Sequence, residues 1–478
     1  MVSGGSRRGM KTILHIDFNS YFATVEQQAN PRLRGKPIGV TGGDRIKRTV
    51  LGAASIEAKK YGVKTGMQIW EAKRLCPNLI LVQGDSDKYL EVTKRFLAII
   101  KDYSPYVEVF SIDEVFMEIP TARGPASSVS RRASSLVSLA AATRRDPSSL
   151  SPLAFDIKRR IKEETGEWIT CSIGISYNKL MAKLAGSLQK PDGLVVIANE
   201  EEAIKVLDKI ELDEICGIGP RIKKRLNNMG IFGFAQLRKA PLKALLASFK
   251  SYGEILYNMA RGIDNTPLIP FYEKEEVKSI GHRHTIDHDT SDPKEIKQIL
   301  LKLTELVARR LRAKNLVGKT VHCWYRNALS YSVIPAKAGI HINNLWIPVQ
   351  ERDDNGNFSG DGMPASRGEQ MTIHPTSDGL EIFKAAWGIF LKIWDPSTGS
   401  GQGGEIRMIG VSISNLKPKN PENLTFLEEK LRVEKIIKTL DKINDKYGEF
   451  TLQRGILLGT SKMRRMPNPF LADRRFRL

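Results

Sequence analysis

Two acidic sites sit inside apolar, strand-like runs: Asp17 in ILHIDFNSYF (13–22) and the Asp113-Glu114 pair in VEVFSIDEVFMEI (107–119). An ionised carboxylate among Ile, Phe and Val is costly to bury unless it is paired or holds a cation. Brought together from two neighbouring strands, these three carboxylates make a hard-oxygen site suited to Mg2+, which takes few protein carboxylates and keeps positions for water and substrate phosphates. Two such ions, about 4 Å apart, are a device for in-line phosphoryl transfer. The same residues also read as strand-end acids in water or as partners of lysines, and their spacing leaves both readings open.

Three further segments carry candidate chemistry. In SYNKLMAKLAGSLQKPDG (176–193), Lys179 and Lys183 are four apart and share a helix face, Leu180, Leu184 and Leu188 are expected to form the buried side, and Lys190 closes the pattern beside Pro191 and Gly193. Converging ammonium groups suit a triphosphate, and a solvated basic face is the alternative. In EICGIGPRIKKRL (214–226), Gly217-Ile218-Gly219 between two helical patterns gives a tight hairpin. Its amides at the next helix start can hold a phosphate oxygen, with Arg221, Lys223, Lys224 and Arg225 following; the alternative is an ordinary glycine turn. In GHRHTIDHD (281–289), His282 and His284 share a strand face and His288 follows, but no third ligand lies at a usual zinc spacing, so phosphate or solvent is the expected neighbour.

The elements that must position these residues alternate along the chain. Strand signals at PIGV (37–40), LILVQ (79–83), WITCSIGIS (168–176) and LVVI (194–197) are separated by helical patterns, which describes an α/β or α+β body. From residue 198 the pattern turns helical, then comes the linker NTPLIPFYEKEEVK (265–278) and a second unit in the order strand, helix, strand, strand, helix, strand. Two stretches interrupt this order. Residues 121–152 are rich in Ser, Ala and Arg, with five Arg against one Asp, and read as a low-complexity insertion. Residues 328–370 hold three basic and five acidic residues; their VIPAKAGIHINNLWIP stretch resembles translated dispersed genomic repeats, and the segment reads as a second surface insertion.

The chain has 478 residues, room for three or four domains without disulfide or metal staples, and a net charge of +21. That excess points first to nucleic acid, whose phosphates draw Lys and Arg, and second to an acidic membrane surface. Cys76, Cys171, Cys216 and Cys323 are far apart with no CxxC, which excludes a zinc ribbon and a thioredoxin-like centre. No apolar run approaches the ~20 residues of a membrane span, so a cytoplasmic protein is expected.

Taken jointly, IDFNSYF, AASIEAKKYGVKTGM (53–67), SIDE (111–114), GISYNKLMAKLA (174–185), QKPDG, the GIG hairpin and KSIG (278–281) closely resemble the Y-family DNA polymerases of the DNA polymerase IV type, in the same order and over roughly residues 10–327 and 371–455. The resemblance implies an α+β right-hand polymerase. A flexible leader (1–9) precedes a ferredoxin-like palm (10–20 and 86–197) and small fingers (21–85). A helical thumb with a helix-hairpin-helix (198–267) follows, then a linker (268–277), an α/β little finger (278–419) and a C-terminal region with a basic tail (420–478). It implies that Asp17, Asp113, Glu114 and the Phe18 carbonyl oxygen hold two Mg2+ ions, with the three carboxylates catalytic. Phe22 matches the steric gate against a ribose 2′-hydroxyl. The Tyr21 and Phe22 amides, Lys59 and Lys190 match dNTP contacts, and Gly217, Gly219, Arg221, Lys223, Lys278 and Ser279 match DNA contacts.

The implied activity is low-fidelity, non-proofreading translesion synthesis by a monomer acting on primer-template DNA and dNTP, without a membrane. A sliding clamp is a further implied partner, through QRGILL (453–458) or NPFLAD (468–473); QRGILL as a last structural strand and the tail as plain disorder are the alternatives. The sequence departs from the family where Ile56 and Lys59 stand in place of a Tyr and an Arg on the triphosphate, and Ala53 in place of a Thr. Those departures keep two other functions open: a non-catalytic DNA-binding scaffold and a transferase restricted to one nucleotide.

Overall fold

Strand β1 (Ile13–Phe18) is buried on both sides, and its alternation decides what lies on each face. Leu14, Ile16 and Phe18 point into the larger core, while Ile13, His15 and Asp17 point the other way. The computed structural model describes residues 11–42, 49–119, 147–273, 276–328, 339–342, 345–348, 366–394, 404–419, 428–448 and 450–457. The leader, most of both expected insertions and the tail with NPFLAD lie outside the described residues. The chain divides into two compact units between residues 274 and 275.

In the first unit, β1 leads to α1 (Tyr21–Ala29), β2 (Ile38–Thr41), β3 (Leu51–Ala54), α2 (Ile56–Lys60), α3 (Ile69–Leu75), β4 (Ile80–Gln83) and α4 (Ser86–Lys101). Then come β5 (Val107–Val109), β6 (Glu114–Glu118), α5 (Ser151–Thr165), β7 (Cys171–Ser176), α6 (Lys179–Leu188), β8 (Leu194–Ile197) and α7 (Glu200–Leu207). A five-stranded sheet has the order β5-β6-β1-β7-β8, with β1 antiparallel to both neighbours and β7 parallel to β8. Helices α4 and α5 cover one face through Phe96, Leu97, Ile100, Leu153, Ile157 and Ile161. Helix α6 covers the other. It comes very close to β7: a Cβ on Gly174 would stand 2.1 Å from the Ala182 carbonyl oxygen and 2.2 Å from the Gly186 amide. The buried side of α6 is Met181, Ala182, Leu184 and Ala185, not the expected leucine row, and Leu188 is exposed; Ala182, Ala185 and Gly186 are the residues that meet Gly174.

A separate three-stranded sheet, β3-β2-β4, carries the segment between α1 and α4 over a small core of Leu51, Ala58, Val63, Ile69 and Leu79. The short β3, with Gly or Ala at three of its four positions, gives no apolar alternation and was not expected from the sequence. Helices α8 (Pro220–Asn228), α9 (Phe234–Lys239), α10 (Leu242–Phe249) and α11 (Tyr252–Met259) complete the unit, packing Leu226, Phe234, Leu245 and Leu256 with Met181 and Leu184 of α6.

The second unit runs β9 (Ser279–Thr290), α12 (Pro293–Ala313), β10 (Leu316–Asn327), β11 (Gly339–Ile342), β12 (Leu345–Pro348), β13 (Ser366–Thr376), α13 (Gly379–Ile393), β14 (Ile406–Pro418) and α14 (Glu428–Tyr447). Its main sheet, β13-β10-β14-β9, is antiparallel throughout, and α12 and α13 bury Leu300, Leu303, Val307 and Phe390 against Val321, Cys323, Ile409 and Val411.

Several expectations on boundaries need correction. The run 107–119 is not one strand but the hairpin β5–β6, broken at Phe110–Asp113. Residues 147–152, placed in the first insertion, form a 3-10 turn and the start of α5, with Leu150 buried. Residues 366–370, placed in the second insertion, belong to β13, whose mostly exposed side chains hide an edge strand from periodicity, and β11 and β12 form a hairpin of their own. The expected linker begins docked: the Phe271 amide donates to the Val107 carbonyl (2.8 Å) and the Lys101 ammonium lies 3.8 Å from the Phe271 ring centroid. QRGILL is no strand: Gly455–Leu457 is a 3-10 turn with Leu457 buried, and Gln298 donates to the Ile456 carbonyl (2.9 Å).

The contact between β7 and α6 gives a stability prediction. Gly174→Ala forces backbone apart and should destabilise the first unit by about 3 kcal/mol, the upper range for overpacking. Urea unfolding checks it; a loss under about 1 kcal/mol would mean that α6 is not held this closely.

Candidate active site

The register of β1 and β6 sets Asp17 directly opposite Glu114. One residue earlier, Asp113 sits in the turn that leads into β6, where its carbonyl accepts the Phe18 amide (3.0 Å) and its carboxylate accepts the Ser111 hydroxyl (2.6 Å). The two acidic sites read from the sequence are thus neighbours. All three carboxylates lie on or beside the α6 face of the sheet, and that helix supplies their counter-charges: Lys183 donates to Glu114 (2.6 Å), and Lys190, just past the helix end, pairs with Asp17. Lys179 does not join them. It is buried and donates to both carboxylate oxygens of Glu108, each at 2.8 Å, so its charge is committed to that ion pair.

Burial dominates the electrostatics. It pushes the Asp17 carboxyl up to about 6, with Lys190 opposing and Glu114 and Asp113 adding to the rise. Asp113 is also raised, by burial first, with the Ser111 hydrogen bond opposing and Glu114 reinforcing. Lys59 of α2 is lowered by desolvation and then by the Lys190 charge, while Asp17 opposes, so this cation feels the same centre. Among the described residues no three acidic, His or Cys side chains form a closed cage, since Asp17 and Glu114 are turned onto their lysines. The donor set nevertheless fits Mg2+: it is all hard oxygen, and its three carboxylates face only two ammonium groups.

Phe22 lies in the first turn of α1, just beyond β1. Ser20 takes a left-handed conformation (φ 50°), and its side chain makes no capping hydrogen bond at the start of α1, where the Tyr21 and Phe22 amides lie. The Phe22 ring stacks on Tyr89 (4.5 Å between centroids, 21° between planes) and is half-buried. Tyr21 is anchored behind it: its hydroxyl lies 2.8 Å from the Tyr89 carbonyl and 2.8 Å from the Thr93 hydroxyl, which donates to the carbonyl of Ile112 (2.9 Å). Ile56 and Lys59 lie on α2, which is capped by Ser55 through the Ala58 amide (3.2 Å), and Ala53 is buried in β3.

His15 was not singled out from the sequence. It is buried on the same face as Asp17, its two ring nitrogens have no hydrogen-bond partner among the described residues, and burial together with the Lys183 and Lys190 charges holds it well below the usual histidine range. Its position two residues before Asp17 in a strand was the available signal.

The glycine hairpin is formed as expected. Gly217 has φ +110°, and its carbonyl accepts the Tyr252 hydroxyl (2.8 Å); Gly219 precedes α8, and Arg221 is exposed. Lys223 is tied to Glu211 (3.0 Å) and Asp213 (2.8 Å). In the second unit, Lys278 and Ser279 are exposed at the start of edge strand β9. His282, His284 and His288 gather no metal cluster among the described residues: His282 is pushed down to about 4 by burial and Arg310, and His288 meets Glu295 (3.1 Å).

A carboxylate trio on a β1–β6 pair, roofed by a lysine-bearing helix and followed by a helical glycine hairpin and a second sheet unit, has the architecture of a Y-family DNA polymerase. The fold likeness is direct: the solved Y-family DNA polymerase chimera "Dbh-Dpo4(243-245)-Dbh" superposes with a TM-score of 0.60, covering 84% of this chain and 98% of that one at 22% identity. Family models for the impB/mucB/samB family match residues 16–187 and, for its C-terminal domain, 277–426; a DNA polymerase-iota thumb model matches 213–264. The DNA polymerase IV of Pelotomaculum thermopropionicum is 33% identical over 447 residues, 93% of this chain and 95% of the relative. That of Moorella thermoacetica is 32% identical over 452 residues, 94% and 96% of the two chains. The chain belongs to the DNA polymerase IV family.

The Asp17 environment gives a pH-dependent prediction. Because its folded carboxyl titrates above the ordinary 3.8, ionising it opposes folding; the opposition is absent below about pH 4, grows toward pH 6 and is complete above. Asp17→Asn should therefore raise the Tm of the metal-free protein at pH 7.5, by up to about 3 kcal/mol of stability, and lose that advantage at pH 4. Thermal melts with chelator at the two pH values check this; a variant less stable at pH 7.5 would contradict it.

Proposed function

We propose that this chain extends a primer 3′-hydroxyl with the nucleotide that a template strand specifies, taking it from a dNTP and releasing pyrophosphate, including across damaged template bases. The observation that carries the reading is the placement of Asp17 opposite Glu114 with Asp113 beside them, on adjoining strands under Lys183 and Lys190. Two Mg2+ ions on Asp17, Asp113, Glu114 and the Phe18 carbonyl oxygen would supply a lowered primer-hydroxyl pKa and neutralise the leaving pyrophosphate.

The protein's own groups do the rest. Lys190 exchanges its Asp17 carboxylate for a triphosphate oxygen, and the Tyr21 and Phe22 amides donate to the same group at the start of α1. The Phe22 ring, backed by Tyr89, fills the space of a ribose 2′-hydroxyl and rejects ribonucleotides by clash. Lys59 adds charge without the two-pronged grip of an arginine, and Ile56 donates nothing, so the triphosphate is held mainly from the palm side. The small three-stranded fingers leave room for a distorted template base, which suits low-fidelity, non-proofreading synthesis. The helical hairpin and the second unit's basic residues supply backbone contacts to primer-template DNA, and monomeric action in the cytoplasm completes the reading.

Primer extension with Mg2+ and each dNTP tests it. The unmodified chain should extend the primer and Asp113→Ala/Glu114→Ala should not; an inactive parent would sink the proposal, and an active double variant would remove the carboxylates from their role. Phe22→Ala should admit ribonucleotides at least ~10-fold more readily, since one clash of this kind is worth upward of 1.4 kcal/mol. Ile56→Tyr should lower the KM for dNTP with little change in kcat, and an unaltered KM would show that the missing hydroxyl is not what limits binding.

A further inference from the structure

Lys190 reaches Asp17 from the short loop between α6 and β8, and a buried charge that the chemistry above does not use is committed to that loop. The loop backbone is tightly held. Asp192 takes a left-handed conformation (φ 57°), which a short polar side chain tolerates better than most. Gly193 has no room for a side chain, since a Cβ there would stand 1.8 Å from the Gln189 carbonyl oxygen. Its amide donates to the Ser172 hydroxyl of β7 (3.3 Å), and that hydroxyl donates to the side-chain oxygen of Asn19 (3.0 Å), the residue after Phe18. One side of the loop is thus fastened to the strands beside the acids.

The other side meets Lys158. This lysine is buried on α5, the helix across the sheet from the three carboxylates. Taking an ammonium group out of water is costly unless acceptors replace the water. Among the described residues its acceptors all belong to two consecutive positions of the loop. Lys158 donates to the carbonyls of Asp192 and of Gly193 (3.2 Å for the second), and its ammonium lies 3.0 Å from one Asp192 carboxylate oxygen. Lys162, one turn further along α5, donates to the other oxygen (3.0 Å) but is more exposed, so its pair is the weaker one. Helix α5 does not need these contacts to stay on the sheet, because Leu153, Ile157 and Ile161 already bury it there. What the lysine fixes is the loop.

We propose that Lys158 is a positioning residue for the incoming nucleotide: by holding Asp192 and Gly193 it sets where the Lys190 ammonium ends, and so where the triphosphate is gripped. The inference rests on the polymerase reading, and extends the triphosphate site to a residue on the far side of the sheet from the reacting groups.

Steady-state primer extension with Mg2+, saturating primer-template and a range of dNTP concentrations tests it. Lys158→Met should raise the KM for dNTP about ten-fold, the worth of one hydrogen bond to a charged group, and change kcat less than about two-fold. A merely structural lysine would behave otherwise, because partial unfolding lowers the active fraction, and with it kcat, without moving KM. Lys158→Arg should recover most of the loss. Since the effect passes through Lys190, Lys158→Met placed in a Lys190→Ala background should add less than about two-fold to the KM that Lys190→Ala has already raised. Asp192→Ala, which leaves Lys158 its two carbonyl acceptors, takes the place of Lys158→Met in the same cycle if circular dichroism shows that variant unfolded. An unchanged KM in the folded variant, or a rise of about ten-fold again on top of Lys190→Ala, would overturn the positioning role while leaving the polymerase reading intact. An unmodified chain that did not extend the primer would overturn both.

Discussion

Three carboxylates crowded onto one face of a buried sheet repel one another, and burial strengthens the repulsion. The first unit is built around containing it. Helix α6 can deliver Lys183 to Glu114, and Lys190 to Asp17, only because Gly174 and Gly186 let the helix lie almost on the backbone of β7. A wider helix–sheet spacing would carry both ammonium groups away from the acids. Lys179, committed to Glu108, and Asn178, which donates to the Gly262 carbonyl (2.7 Å), pin the start of the same helix from below and beside. The charge arrangement at the three acids is thus a consequence of backbone packing, with lysines as their resident cations.

That containment also explains why the site is not a ready-made cage. A ligand set locked around a metal would release products poorly, whereas carboxylates held by long lysine side chains can be traded between internal and external cations. Lys190 is more exposed than Lys183, so on the proposed function its exchange from carboxylate to phosphate would link the arrival of substrate to the freeing of Asp17.

Much of this was legible in the sequence because burial and charge conflict visibly there. Asp17 and Asp113-Glu114 stand out in apolar runs, the GIG hairpin needs a positive φ that the structure confirms at Gly217, and the +21 charge narrows the partner class. What escaped depended on tertiary pairing. The edge strand β13 shows no apolar period because most of its side chains are exposed, and β3 is too short and small-residued to register. The different fates of Lys179 and Lys183, four residues apart on one helix, are set by Glu108 and Glu114 on other strands, which helical spacing cannot reveal. His15 was hidden for the same reason: its surroundings, not its neighbours in sequence, make it unusual.

The hydroxyl relay behind the gate has a wider meaning. Tyr21 leans on Thr93, and Thr93 holds the carbonyl of Ile112, the residue immediately before Asp113. On the proposed function, the gate at Phe22 and the placement of Asp113 would both lean on this one threonine of α4, so that loosening it would disturb the two together.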